Sequence, residues 1–117
     1  MNVDDYTRIN KARYKMITDL KLLDSVTKTK LYLIYSDYEN TNTLLNKKLH
    51  SFQISVSAYK VLHRNAFSKM VIKRDNLDNS YHKKYRKIRD RFDKVEDIEL
   101  EQLNKIKTST NRKGEIT

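Results

Sequence analysis

The chain has no cysteine and no proline, and its one glycine, Gly114, stands near the C-terminal end. Lacking cysteine, it can form neither a disulfide nor a thiolate metal site, and it tolerates a reducing compartment. Lacking proline and internal glycine, it is short of the residues that end helices and shape tight turns. The Asn-Gly and Asp-Gly pairs that close β-hairpins are missing as well, so an all-β fold is not expected and helix is the default. No stretch approaches the ~18 apolar residues of a membrane span. The opening residues, Met1-Asn2-Val3-Asp4-Asp5, are polar and acidic, unlike a signal peptide. These features lead to the expectation of a cytoplasmic protein without a membrane span.

Chemistry-bearing patterns are equally sparse. His50, His63 and His82 show no spacing that puts two ligands on one helical face, so no metal site or cofactor is expected. Asp4, Asp5, Glu96, Asp97 and Glu99 sit in polar stretches, where ordinary solvation is the expectation and no buried acid–base pair is formed. There is no glycine-rich phosphate loop and no nucleophile elbow. The chain does not read as an enzyme.

What the sequence does hold is positive charge. Twenty-five Lys and Arg oppose fifteen Asp and Glu over 117 residues, a net charge of +10. The surplus is uneven, because residues 60–94 carry twelve Lys and Arg against four Asp, a net +8. The stretch from Glu96 to Thr117 holds four bases and five acids. A basic concentration of this kind is the footprint of a phosphate-backbone binder, since each cation placed on a phosphate releases a condensed counterion. Part of it could be a solvated helix face: Arg86 with Asp90, Arg89 with Asp93 and Asp90 with Lys94 stand at i,i+4 spacing. Lys83, Lys87 and Arg91 form a stripe without that compensation, and Lys60, Arg64, Lys69, Lys73 and Arg74 lie upstream.

Apolar spacing divides the chain into helical segments. Tyr6, Ile9, Met16, Ile17, Leu20 and Leu23 make one amphipathic stripe, with a break expected at Asp24-Ser25. Leu31, Tyr35, Tyr38, Asn42, Leu45, Leu49 and Phe52 follow a four-three heptad seam with one polar interruption. The poor helix formers Glu39-Asn40-Thr41-Asn42-Thr43 leave open whether residues 28–52 are one helix or two. Ser36-Asp37-Tyr38-Glu39 matches a capping box that would start a helix there. A third helix, capped by Ser55 or Ser57, buries Tyr59, Leu62, Ala66 and Met70 and either stops at Leu77–Ser80 or runs on. A fourth buries Tyr81, Tyr85, Ile88, Phe92 and Val95, and Ile98, Leu103 and Ile106 suit a short fifth. Residues 1–107 are expected to form one helical domain, and 108–117 a polar, disordered tail.

Within this pattern, residues 45–67 resemble a helix-turn-helix in outline. Gln53-Ile54-Ser55 would be the turn, and Ser55, Ser57, Lys60 and Arg64 would face the major groove. Gln53, Leu49 and Tyr59 depart from the small or glycine residues such a turn prefers. The tyrosines at 81 and 85 interleave with bases, as in a stacking platform, but share a face with Ile88 and Phe92, which favours packing.

The sequence-level expectation is therefore an all-α antiparallel bundle of three to five helices, with room for a helix-turn-helix. It acts as a nucleic-acid-binding regulatory or accessory protein, with a composition reminiscent of phages and mobile elements. Ser55, Ser57, Lys60, Arg64, Lys69, Lys73, Lys83, Lys87 and Arg91 are its candidate contacts to double-stranded DNA. The rival expectation is a helical interaction module docking on an acidic partner protein, and a basic amphipathic helix on a membrane surface ranks third. A heptad seam with one polar residue suggests a homodimer.

Overall fold

The computed structural model describes the backbone of residues 3–116 and the side chains of residues 7–107. Within them the chain is two α-helices, α1 (Val3–His50, 48 residues) and α2 (Val56–Ile116, 61 residues), joined by a short turn. The expected three to five helices are thus corrected to two. The expectation of a disordered tail over 108–117 concerns residues whose side chains lie outside those described.

The breaks anticipated at Asp24-Ser25, 40–43 and Leu77–Ser80 lie inside helices, while the one at Gln53–Ser55 is the turn. Ser25 lies in α1, where Thr29 Oγ1 donates back to its carbonyl at 3.1 Å. In the Asn/Thr stretch, Thr41 Oγ1 donates to the Asp37 carbonyl at 2.9 Å and Thr43 Oγ1 to that of Glu39 at 3.0 Å. These bonds turn the competing side chains onto the helix's own carbonyls instead of pulling the backbone elsewhere. With no proline or glycine present, nothing forces a stop, and the apolar stripe continues through Tyr38 and Leu45. The Ser36–Glu39 capping box is likewise interior helix, and Leu77–Ser80 is helix too.

The chain divides into two compact units, residues 23–83 and residues 1–22 with 84–117. The first is a helical hairpin. Its halves run antiparallel, since Asp24 accepts a 2.7 Å hydrogen bond from the Tyr81 hydroxyl while Tyr38 meets Phe67 edge-on at 6.1 Å. Leu45 and Met70 are buried in its seam, and Leu31, Tyr38, Tyr59, His63 and Leu77 are half-buried. This geometry replaces the helix-turn-helix. The Gln53–Ser55 turn is in the expected place, but α2 folds back along α1 for at least four turns, not away from it at a steep angle.

The turn itself explains how a chain without glycine reverses direction. The Phe52 N–H donates to the Leu49 carbonyl at 3.2 Å and the Gln53 N–H to that of Lys48 at 2.8 Å, the paired bonds of a Schellman motif. Phe52 takes the left-handed position that glycine normally fills, at φ 60°. Its ring is 94% exposed, so the seam expected to include it ends at Leu49. Lys47, Lys48 and His50 oppose the negative end of the α1 dipole. Ser55 starts α2, its hydroxyl accepting from the Ala58 N–H at 3.1 Å.

In the other unit, Ile9 and Phe92 are buried and Met16, Ile88 and Val95 half-buried. Glu99 is only 4% exposed, a correction to its expected solvation. It continues the four-three spacing of Phe92 and Val95, which carries it into the seam. Arg8 Nη1 meets Glu99 Oε1 at 3.1 Å, while Glu99 Oε2 has no hydrogen-bond partner among the described residues.

Two stability predictions follow from these sites. Replacing Phe52 with glycine removes left-handed strain of about 1–2 kcal/mol and adds back somewhat less in chain entropy, so F52G should be about 0.5–1 kcal/mol more stable by thermal unfolding. Arg8→Ala strands a buried carboxylate and should cost about 2 kcal/mol. Glu99→Met removes the charge along with the need for a partner and should stay within about 1 kcal/mol of the parent or exceed it, measured by urea unfolding.

Candidate nucleic-acid interface

An α-helix advances 100° per residue, so positions three and four apart share a side. Applied to α2, this rule separates the predicted contacts into two groups. In the hairpin unit, Lys69 and Lys73 line a groove with Asp37 and Asn40 of α1. The same side of α2 continues through Asn76 and Ser80 to Lys83, with no acid along it. Lys69, Lys73 and Lys83 are exposed.

Lys60 and Arg64 belong to the other side. Their row continues through Phe67, Val71, Asp75 and Asp78, and the groove there is lined by Tyr35, Arg74, Asp75 and Asp78. Bases and acids are mixed on this side. The hairpin therefore does not bring Lys60 and Arg64 onto the face of Lys69 and Lys73. Ser55 is engaged in its helix cap, and Ser57 is exposed on the first turn of α2.

In the second unit, Lys84, Lys87, Arg91 and Lys94 recur at three- and four-residue steps and are exposed. Arg91 and Lys94 line a groove with Lys15 and Asp19 of α1, over a floor that includes Met16, Ile88 and Phe92. Asp19 and Asp90 border this patch and leave it basic. Lys84, Lys94 and Lys15 belong to this basic patch and were not among the candidate residues read from the sequence. The first two were legible from helical spacing, whereas Lys15 joins the patch only through the pairing of the two helices.

Compensation by neighbouring acids is slight. Ion pairs among the described residues join Arg8 with Glu99, Arg74 with Asp75, His82 with Asp78 and Lys105 with Glu101. The expected i,i+4 pairs of Arg86, Arg89 and Lys94 with Asp90 and Asp93 are not among them. None of Lys69, Lys73, Lys83, Lys87 and Arg91 has an acidic partner within 4.0 Å among the described residues. Each step of four residues advances the charge about 6 Å along the helix, so each patch presents a row of cations able to meet successive anionic groups.

The two interleaved tyrosines differ: Tyr81 is packed, whereas Tyr85 is 36% exposed, a correction to its expected burial. Tyr81 is half-buried and bonded to Asp24, while Tyr38, Tyr59 and His63 pack on one another, with Tyr59 stacked on His63 at 5.7 Å. Among the described residues no cluster of three or more His, Asp or Glu is placed to hold a metal ion, and no helix is long and apolar enough to cross a membrane. No protein-family model, curated protein or solved structure gives a significant match to this chain.

Proposed function

We propose that the protein is a nucleic-acid-binding accessory or regulatory protein that engages double-stranded DNA through phosphate contacts from α2. The observation that carries this reading is the segregation of charge: Lys69, Lys73 and Lys83 in one unit, and Lys84, Lys87, Arg91 and Lys94 in the other, occupy faces of α2 from which acids are nearly excluded. Such rows bind by counterion release and require no base-specific contact. With its recognition helix replaced by the first turns of a hairpin, the protein has no evident element for reading base edges, and its binding is expected to be tolerant of sequence. Lys60 and Arg64 are left out of this interface because they stand on the other side of the hairpin unit from Lys69 and Lys73.

The groove of the second unit supports a second reading. An apolar floor rimmed by Lys15, Arg91 and Lys94 suits the apolar side of an acidic amphipathic helix, with its carboxylates meeting the cationic rim.

The test is fluorescence anisotropy of a labelled random duplex at several salt concentrations. The parent should bind with a steep inverse salt dependence. Lys87→Glu with Arg91→Glu, and separately Lys69→Glu with Lys73→Glu, should each weaken binding and flatten the log–log salt slope by about 2, whereas the same charge change at Lys105 and Lys107 should have a much smaller effect. Equal loss from all three pairs would reduce the patches to net charge alone. Absence of binding by the parent at low salt would refute the nucleic-acid reading and favour the acidic protein partner.

A further inference from the structure

Phe52 is out of place at the hairpin tip on two counts. Its φ of 60° is a backbone that suits glycine, and its side chain, 94% exposed, is the most exposed large hydrophobic among the described residues. The bonds that close the turn, from the Phe52 N–H to Leu49 and from the Gln53 N–H to Lys48, are backbone bonds that a glycine would allow equally well. The ring therefore adds nothing to the turn or to the seam.

The surroundings of this ring select its partner. From Asn40 to Arg74 the chain holds seven Lys and Arg and no Asp or Glu. Lys47 and Lys48 lie in the last turn of α1 and Lys60 one turn into α2, so cations stand on both helices behind the tip. A ring protruding from a cationic, acid-free end suits a polyanion that carries flat apolar groups between its charges, and a nucleic acid is such a polymer. An anionic membrane is the poorer match. Its hold grows with the apolar area inserted, and the tip offers little beyond Phe52 and the 60% exposed Val56, whereas stacking needs a single ring.

Given the duplex binding proposed above, on which this step rests, we propose that Phe52 stacks on an unpaired base, so that the protein favours duplex DNA interrupted by a short gap over the intact duplex. A convex tip cannot enclose a base, but it can reach into an opening in the stack. At an interruption no base pair has to be opened, whereas insertion into an intact step costs the stacking it displaces. The contact requires no particular base, since every base has a π-face. The lysine rows meet phosphates in both cases, and Phe52 adds the preference.

Anisotropy titrations that compare one labelled duplex, intact and with a short gap, at the same salt concentration test this. The parent should bind the gapped duplex about tenfold more tightly. Phe52→Gly should lose that margin and bind both duplexes as the parent binds the intact one; this variant is expected to be the more stable, so misfolding cannot produce the loss. Phe52→Trp should keep the margin. The chain has no tryptophan of its own, so the indole fluorescence of this variant should be quenched far more by the gapped duplex than by the intact one. A parent that binds the intact duplex with a steep salt dependence but shows no preference for the gap would overturn the proposal and leave the phosphate-binding reading standing. A margin that survives Phe52→Gly would overturn it too, as would an indole that responds to anionic lipid vesicles and not to DNA, which would give the tip to a membrane surface. A parent that binds neither duplex would overturn both readings.

Discussion

Within each of the two units, a segment of α1 and a segment of α2 have only one seam between them. Side chains at every third and fourth position of α1 and α2 can face that seam, and all others stay in contact with water whatever their chemistry. Among the described residues the deeply buried apolar side chains are Ile9, Leu45, Met70 and Phe92, with half-buried neighbours completing each unit. Leu33, Leu44, Phe67 and Ile72 remain at least half exposed in the hairpin unit because no third helix reaches them. The same constraint leaves both sides of the hairpin open, so what each side carries decides what it can bind. One carries lysines separated by neutral polar residues. The other carries bases and acids on either side of an apolar stretch at Phe67 and Val71.

Local chemistry keeps this simple architecture intact. Threonine hydroxyls return to their own helix, and a serine caps the start of α2. A phenylalanine accepts a left-handed backbone where no glycine is available. Each replaces a device that a more conventional composition would supply. Glu99 shows the limit of such substitutions: its seam position buries a carboxylate, and Arg8 is what makes that burial tolerable.

Much of the seam was legible from spacing alone. Ile9, Leu31, Tyr38, Leu45, Tyr59, Met70, Ile88 and Phe92 all stand on the predicted stripes and are buried or half-buried, and Ser55 caps as predicted. The number of helices was not legible, because Asp24-Ser25, Asn40–Thr43 and Leu77–Ser80 were weighed by local propensity. Propensity yields where back-bonding and packing continue the helix. Glu99 was misjudged because a carboxylate was read by type and not by its place after Phe92 and Val95. The division of Lys60 and Arg64 from Lys69 and Lys73 was present in the helical spacing, but it became decisive only when Asp37 and Tyr35 marked the two sides of the hairpin.

The constraint on which the structure depends is the burial of one stripe of each helical segment, with Leu45 and Met70 buried in the hairpin unit. The direct test is Met70→Asp, followed by thermal unfolding with circular dichroism. A carboxylate buried at that position without a partner should cost about 3 kcal/mol and lower the midpoint sharply. A midpoint unchanged from that of the parent would contradict the burial of Met70 and the seam built on it.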